Sequence, residues 1–320
     1  AWYSASAPFV DDYLFRHTAT LLPNGRMLVA GGYMGIDDGS TAEFWLWDQS
    51  SGLWYSTAAM GQARDGHTAT LLPDGLVLVA GGYYSFSHQK LDGAELYDPA
   101  TGTWSATAAM GSARDGHVAV ILPDGRVLVA GGGPLAAEIY SYDPMSGTGS
   151  WSSGGVMSES RYGAAATLLQ DGRVLVAGGS GPKASAEIFD PLSGTWSPAA
   201  DMNTPRTGAS ATLLRDGMVL VTSGEAGEWL RSCELYDSIS DRWLRTGSLN
   251  EVHRTDHTAT LMNDGRVLLV GGTLIGGVTI TSVAEIWDPA TWEWTIDPEY
   301  NVPSSVYYQY HTATLHPCLL

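Results

Sequence analysis

Five arginines occupy one position of an internal repeat, three residues before a recurring His or Ala. They are Arg64, Arg114, Arg161, Arg206 and Arg254. Arginine presents a planar fork of N–H donors that suits bidentate binding of carboxylate, phosphate or sulfate. Their recurrence predicts a cationic surface that binds an anionic ligand.

Glutamates offer a second interpretation of the same arginines. Every complete repeat carries one: Glu43, Glu95, Glu138, Glu187, Glu234 and Glu285. A partly buried carboxylate needs a cation or a hydrogen-bond donor beside it. Because a ligand site usually breaks the symmetry of a repeat while packing preserves it, internal Arg–Glu ion pairs are the alternative prediction.

Histidines and cysteines are the candidate metal ligands. One repeat position holds His17, His67, His117, His257 and His311. Imidazole is a common metal ligand, but two copies carry Ala164 and Ala209 there, which favours a structural role between repeats. Cys233 and Cys318 lack metal-binding spacing, so we expect free thiols, with a disulfide between them as the alternative. No metal or cofactor is predicted.

The repeat that positions these residues occurs seven times. Its copies begin at His17, His67, His117, Ala164, Ala209, His257 and His311. A period of about 50 residues is typical of propeller blades. In the clearest copy, residues 67–72 alternate in polarity as a strand does, and Pro73-Asp74-Gly75 predicts a tight hairpin turn.

Three further strands follow in the same copy. Residues 77–80 are all apolar, as in a strand buried on both faces, and Gly81-Gly82 ends them. Residues 95–97 and 103–105 predict the third and fourth strands, on either side of a turn. No segment has the 3.6-residue periodicity of an amphipathic helix, so the sequence predicts an all-β fold of four-stranded antiparallel units.

Three motifs at fixed offsets carry a family resemblance. Gly-Gly recurs at 31–32, 81–82, 131–132, 178–179 and 271–272. An aromatic residue followed by Asp recurs at 47–48, 97–98, 142–143, 189–190, 236–237 and 287–288, each pair followed by a Trp. The chain resembles the Kelch repeat β-propellers over nearly its whole length, which implies a Kelch-type propeller of four-stranded blades.

The count of complete units predicts six blades in a single domain over 1–320. The units start near 17, 67, 117, 164, 209 and 257, and parts of a seventh lie at 1–6 and 311–320. Seven blades is the alternative if the sequence is a piece of a longer chain. Because the first residue is Ala rather than Met, we expect a processed or trimmed chain.

Equivalent positions of a propeller are related by rotation, so the five arginines would form a ring at the mouth of the channel.

Loops on the same face differ between copies and add aromatic and polar candidates for ligand binding: Tyr33, Tyr83, Tyr84, Phe86, His88 and Trp229. Exposed aromatic rings beside polar groups bind sugar faces or peptide side chains. The alternative is that these rings pin long loops onto the propeller.

An enzymatic resemblance is also present. Tyr310-His311 is similar to the Tyr-His pair that supplies copper ligands in galactose and glyoxal oxidases, and Tyr162 falls near the place of their cross-linked tyrosine. Cys233 and Cys318 do not stand where that family places its cross-linking cysteine, so the resemblance does not predict copper radical chemistry. Epimerase-like or mutarotase-like chemistry on an acidic sugar is the other enzymatic alternative, by analogy with bacterial Kelch enzymes.

Composition narrows the partners. With 34 acidic and 16 basic residues the net charge is −18, which disfavours nucleic acid. No apolar run is close to the length of about 18 residues that a membrane-spanning helix needs. The scarcity of Lys and the abundance of Gly, Ser, Thr and Trp predict an extracellular or periplasmic protein. The sequence thus favours a non-catalytic binding propeller, monomeric or one domain of a larger chain, that recognises an acidic peptide or an acidic carbohydrate.

Overall fold

The computed structural model describes residues 14, 16–34, 39–48, 50–250, 254–272 and 283–297. These residues form six four-stranded antiparallel sheets and contain no helix. The predicted all-β propeller with six blades is therefore confirmed. Within the described ranges, no helix could cross a membrane. The partial seventh unit at 1–6 and 311–320 lies outside them.

The strands divide between two compact units. Residues up to 154 hold blades 1 to 3, and the following residues hold blades 4 to 6. Blade 1 is β1 Thr18–Leu21, β2 Arg26–Ala30, β3 Phe44–Asp48 and β4 Leu53–Ser56. Blade 2 is β5 Thr68–Leu71, β6 Val77–Ala80, β9 Ala94–Asp98 and β10 Thr103–Ala106, with the small hairpin β7 Tyr83–Tyr84 and β8 Gln89–Lys90 inserted. Blade 3 is β11 Val118–Ile121, β12 Val127–Ala130, β13 Ala136–Asp143 and β14 Thr148–Val156.

The second unit repeats the pattern. Blade 4 is β15 Ala165–Leu168, β16 Val174–Ala177, β17 Ala186–Asp190 and β18 Thr195–Ala199. Blade 5 is β19 Ser210–Leu213, β20 Val219–Thr222, β21 Cys233–Asp237 and β22 Arg242–Thr246. Blade 6 is β23 Thr258–Leu261, β24 Val267–Val270, β25 Glu285–Asp288 and β26 Glu293–Ile296. The single domain predicted over 1–320 stays a prediction.

The core lies between neighbouring blades, and this explains the unbroken apolar second strands. Val77 and Val79 of β6 pack against blade 1, whereas Leu78 and Ala80 of the same strand pack against blade 3. Because successive side chains of a strand point to opposite faces, a strand between two blades must be apolar at every position.

The recurring aromatic residues pack against each other in the outer part of each blade. Tyr97 of β9 and Trp104 of β10 are paired across the two strands, with ring centroids 5.0 Å apart. The Asp that follows the aromatic residue orders the next turn, since the Asp98 carboxylate accepts a hydrogen bond from the amide of Ala100 (2.8 Å). The aromatic-Asp and Trp motifs thus stabilise the blade itself.

Candidate functional site

The five recurring arginines are buried. Arg64, Arg114, Arg161, Arg206 and Arg254 are at most 1% exposed. Each arginine lies in the linker before a blade and donates to the glutamate in the third strand of that blade. Arg64 Nη2, for example, lies 3.0 Å from Glu95 Oε1. Arg64 Nη1 also donates to the backbone carbonyls of Gly81 (2.7 Å) and Gly93 (2.9 Å).

The glutamates bind the linker from the other side. Glu234 accepts hydrogen bonds from the backbone amides of Asn203 (2.7 Å) and Thr204 (3.0 Å), in addition to Arg206 Nη2 (2.8 Å). The carboxylate therefore accepts from the guanidinium and from the backbone amides of the linker. These arginines adopt the internal ion-pair arrangement and present no guanidinium to solvent, which removes the basis for a cationic ring that faces a ligand.

Blade 1 departs from this pattern. Leu14 stands where the other blades have arginine, and Glu43, which corresponds to the paired glutamates, is exposed. Among the described residues, Glu43 makes no ion pair. The glutamate is buried only where the arginine is present, as expected from the cost of burying an uncompensated charge.

The recurring histidines also hold blades together. His117 Nε2 lies 2.9 Å from the hydroxyl of Thr68 in the preceding blade, and His67 Nε2 lies 3.0 Å from that of Thr18. Burial lowers the pKa of His117 to about 3, so its imidazole is neutral at physiological pH. The first glycine of the Gly-Gly pairs at 31–32 and 81–82 makes room for this ring: a Cβ at Gly81 would lie 2.8 Å from His117 Cε1.

A polar cluster that breaks the repeat lies in the linkers before blades 1, 2 and 3. Arg16 Nη1 donates to Asp65 Oδ1 (2.6 Å), and Nη2 donates to Asp115 Oδ1. The two aspartate side chains are 3% and 10% exposed, and that of Arg16 is 25% exposed. Burial raises the pKa of Asp65, against the opposing effects of Arg16 and the Ser40 hydroxyl, while Asp115 raises it further.

The cluster is joined to the small hairpin of blade 2. Asp65 and Tyr83 exchange backbone hydrogen bonds of 3.0 and 2.7 Å. Ser40 Oγ donates to Asp65 Oδ2 (2.9 Å), and the Ser40 amide donates to Ser85 Oγ (2.6 Å). The hairpin therefore begins at the cluster and is fixed to the loop of blade 1.

The outer part of this hairpin carries an exposed Phe86 beside the half-buried Tyr83 and Tyr84. Phe86 is 61% exposed and its ring centroid lies 5.4 Å from that of Tyr84. His88 Nδ1 lies 3.4 Å from the hydroxyl of Tyr83, and Lys90 Nζ donates to the carbonyl of Gly132 (2.7 Å). The structure thus brings together the four predicted residues Tyr83, Tyr84, Phe86 and His88.

The remaining predicted loop residues lie in other places. Tyr33 is half-buried and bridges Ser40 in the loop of blade 1, next to the hairpin. Trp229 is half-buried in blade 5, where its backbone bridges Glu225. Both are partly covered by their own loops, which supports a packing contribution from each.

Sequence reasoning missed Arg16, Asp65, Asp115 and Ser40. A signal was present, because the position after the recurring arginine holds Asp only at 65 and 115, and other residue types at 162, 207 and 255. The side chains meet across sequence separations of 49 and 99 residues, which only the stacking of blades supplies.

Comparison with known proteins supports this fold. Residues 66–272 match the family model described as the KLHDC2/KLHL20/DRC7 Kelch-repeats domain. A stretch of 72 residues is 36% identical to galactose oxidase of Gibberella zeae; it covers 22% of this chain but only 10% of that protein's length. The structure of YjhT aligns with a TM-score of 0.68 at 16% identity, over 89% of this chain and 97% of that chain.

A copper-containing structure is also similar. It is a novel fungal alcohol oxidase with catalytic diversity among the AA5 family, and it aligns with a TM-score of 0.66 at 22% identity, over 82% of this chain and 59% of that one. The described residues do not fit a copper site: no three of their His, Cys, Asp or Glu side chains could share a metal. Cys233 is buried with its pKa raised to about 12, and Tyr310, His311 and Cys318 lie outside the described ranges.

Proposed function

Because this chain belongs to the KLHDC2/KLHL20/DRC7 Kelch-repeats domain family, we propose that it is a non-catalytic binding propeller whose ligand contacts the hairpin of residues 83–90. The observation that carries the proposal is the exposed Phe86 ring, packed against the half-buried Tyr84 on a hairpin anchored to a polar cluster. A fixed aromatic surface binds a ligand with little loss of side-chain entropy.

The ligand that this surface suits is a carbohydrate. Aromatic rings cover the apolar face of a sugar, and the Tyr83 hydroxyl and the exposed His88 imidazole of the same hairpin are polar groups that form hydrogen bonds with sugar hydroxyls. The stretch similar to a galactose oxidase supports a sugar ligand. A peptide ligand is the competing outcome, since exposed aromatic residues also bind peptide side chains.

The charges favour a neutral carbohydrate over the anionic ligand expected from the sequence. That expectation depended on five arginines that are buried and paired. The polar cluster at the base of the hairpin pairs one guanidinium with two carboxylates, so its net charge does not attract anions. The net charge of −18 also disfavours an anionic ligand.

The test is calorimetric titration with neutral and acidic oligosaccharides and with tryptic peptides. We expect a neutral oligosaccharide to bind, and Phe86→Ala to weaken it about tenfold, equivalent to about 1.4 kcal/mol. Met145→Ala is the matched control, because Met145 is 96% exposed on the turn between β13 and β14. Equal binding by both variants, or binding of acidic oligosaccharides or peptides alone, would contradict the proposal.

A further inference from the structure

One backbone position in the linker before each blade has a left-handed conformation. Its residues and φ values are Arg16 (55°), Gly66 (60°), Gly116 (63°), Gly163 (62°), Gly208 (66°) and Asp256 (54°). Glycine adopts this conformation without a Cβ penalty, whereas another residue loses about 1 kcal/mol. Arg16 occupies a strained position, so an explanation for it must come from its side chain.

The Arg16 side chain fills a space formed by other residues. It lies across Gly66, where a Cβ would overlap the guanidinium. Its two terminal nitrogens bind Asp65 and Asp115, which belong to the linkers of two different blades. The guanidinium therefore sits between two carboxylates as a bound cation would.

Groups other than Arg16 fix Asp65 through both its carboxylate and its backbone, and fix Asp115 through its backbone. Asp65 is fixed by the Ser40 hydroxyl (2.9 Å) and by its backbone bonds to Tyr83. The backbone amide of Asp115 donates to the carbonyl of Gly132 (3.2 Å). A pair of fixed, mostly buried carboxylates without a cation is unfavourable, and a planar guanidinium matches their geometry better than a spherical ammonium does.

We infer that Asp65 and Asp115 form a guanidinium-binding site that Arg16 occupies in cis, and that the site binds a guanidinium cation in trans when the Arg16 side chain is removed. The site is distinct from the Tyr84–Phe86 pair of the hairpin, although Asp65 is bonded to Tyr83 at the start of the same hairpin. The ligand class is a small guanidinium cation.

The test uses Arg16→Gly, since glycine is the native residue at this position in four other blades. The probe is methylguanidinium at millimolar concentration and constant ionic strength, with N-methylurea as the neutral control. We expect methylguanidinium to raise the melting temperature of Arg16→Gly by about 2 °C and to leave the native chain unstabilised. N-methylurea should stabilise neither.

The second variant assigns the effect to the carboxylates. Adding Asp115→Asn to Arg16→Gly should abolish the response to methylguanidinium, because one carboxylate is lost. If Arg16→Gly does not fold unaided, its refolding yield with methylguanidinium against N-methylurea gives the same comparison. An identical response of the native chain and Arg16→Gly, or equal refolding yields with the two probes, would overturn the inference.

Discussion

The buried ion pair between Arg206 and Glu234 supports a quantitative prediction. Both side chains are 1% exposed, and Arg206 Nη1 also donates to the carbonyls of Ser223 (2.6 Å) and Ser232 (2.8 Å). Replacing Arg206 by Met leaves a buried carboxylate without a cation. Replacing Glu234 by Gln leaves a buried guanidinium without an anion. Each change should lower the free energy of unfolding by about 4 kcal/mol.

The two changes should be strongly non-additive. Once one charge is gone, removing the other no longer leaves a buried charge without its partner, so the double variant should lose about 5 kcal/mol, with a coupling energy of about 3 kcal/mol. Equilibrium urea unfolding followed by tryptophan fluorescence measures all four proteins.

Blade 1 supplies the control for this cycle. Glu43 occupies the same repeat position but is exposed, with Leu14 in place of the arginine. Glu43→Gln should therefore change the stability by less than about 0.5 kcal/mol. If Glu234→Gln were no more destabilising than Glu43→Gln, or if the coupling energy were near zero, the internal role assigned to the five arginines would be refuted.

Two further predictions concern the histidines and glycines between blades. Burial lowers the pKa of His257 to about 3, so the folded chain keeps this imidazole neutral while the unfolded chain binds a proton below about pH 6.5. The free energy of unfolding should therefore fall as pH falls, by about 2 kcal/mol for this residue at pH 5. Urea unfolding at pH 7 and pH 5 should show a smaller difference in stability for His257→Ala than for the native chain. Gly81→Ala should lose about 3 kcal/mol or more of stability, because its Cβ would meet Arg114 O and His117 Cε1 at 2.8 Å. Gly52→Ala, at a similar φ of 66° with open space around it, should lose only about 1 kcal/mol. Equal losses of stability in thermal unfolding would contradict the steric explanation.

Much of the fold follows from the sequence because each blade obeys local rules. The apolar run 77–80, the Pro73-Asp74-Gly75 turn and the paired Tyr97 and Trp104 are all predictable from residue type and spacing. The Arg–Glu arrangement was available as an alternative, since both residues recur in step. The choice between ion pair and ligand site required burial, which a periodic pattern does not supply.

The candidate site was predictable only in part. The aromatic residues of the 83–90 loop could be singled out because they depart from the repeat, but not the hairpin that they form or its anchoring by Ser40. Arg16 meets Asp65 and Asp115 only because three linkers converge, so the contact depends on tertiary structure. Residues that deviate from the repeat were better guides to the site than residues that follow it.

We propose that ligand binds at the aromatic hairpin and that the five recurring arginines stabilise the blades. Calorimetric titration of the Phe86→Ala variant with the neutral oligosaccharide that binds the native chain tests it most directly. We expect an affinity about tenfold lower, with an unchanged melting temperature, since Phe86 is 61% exposed. Unchanged affinity in this variant would contradict the claim.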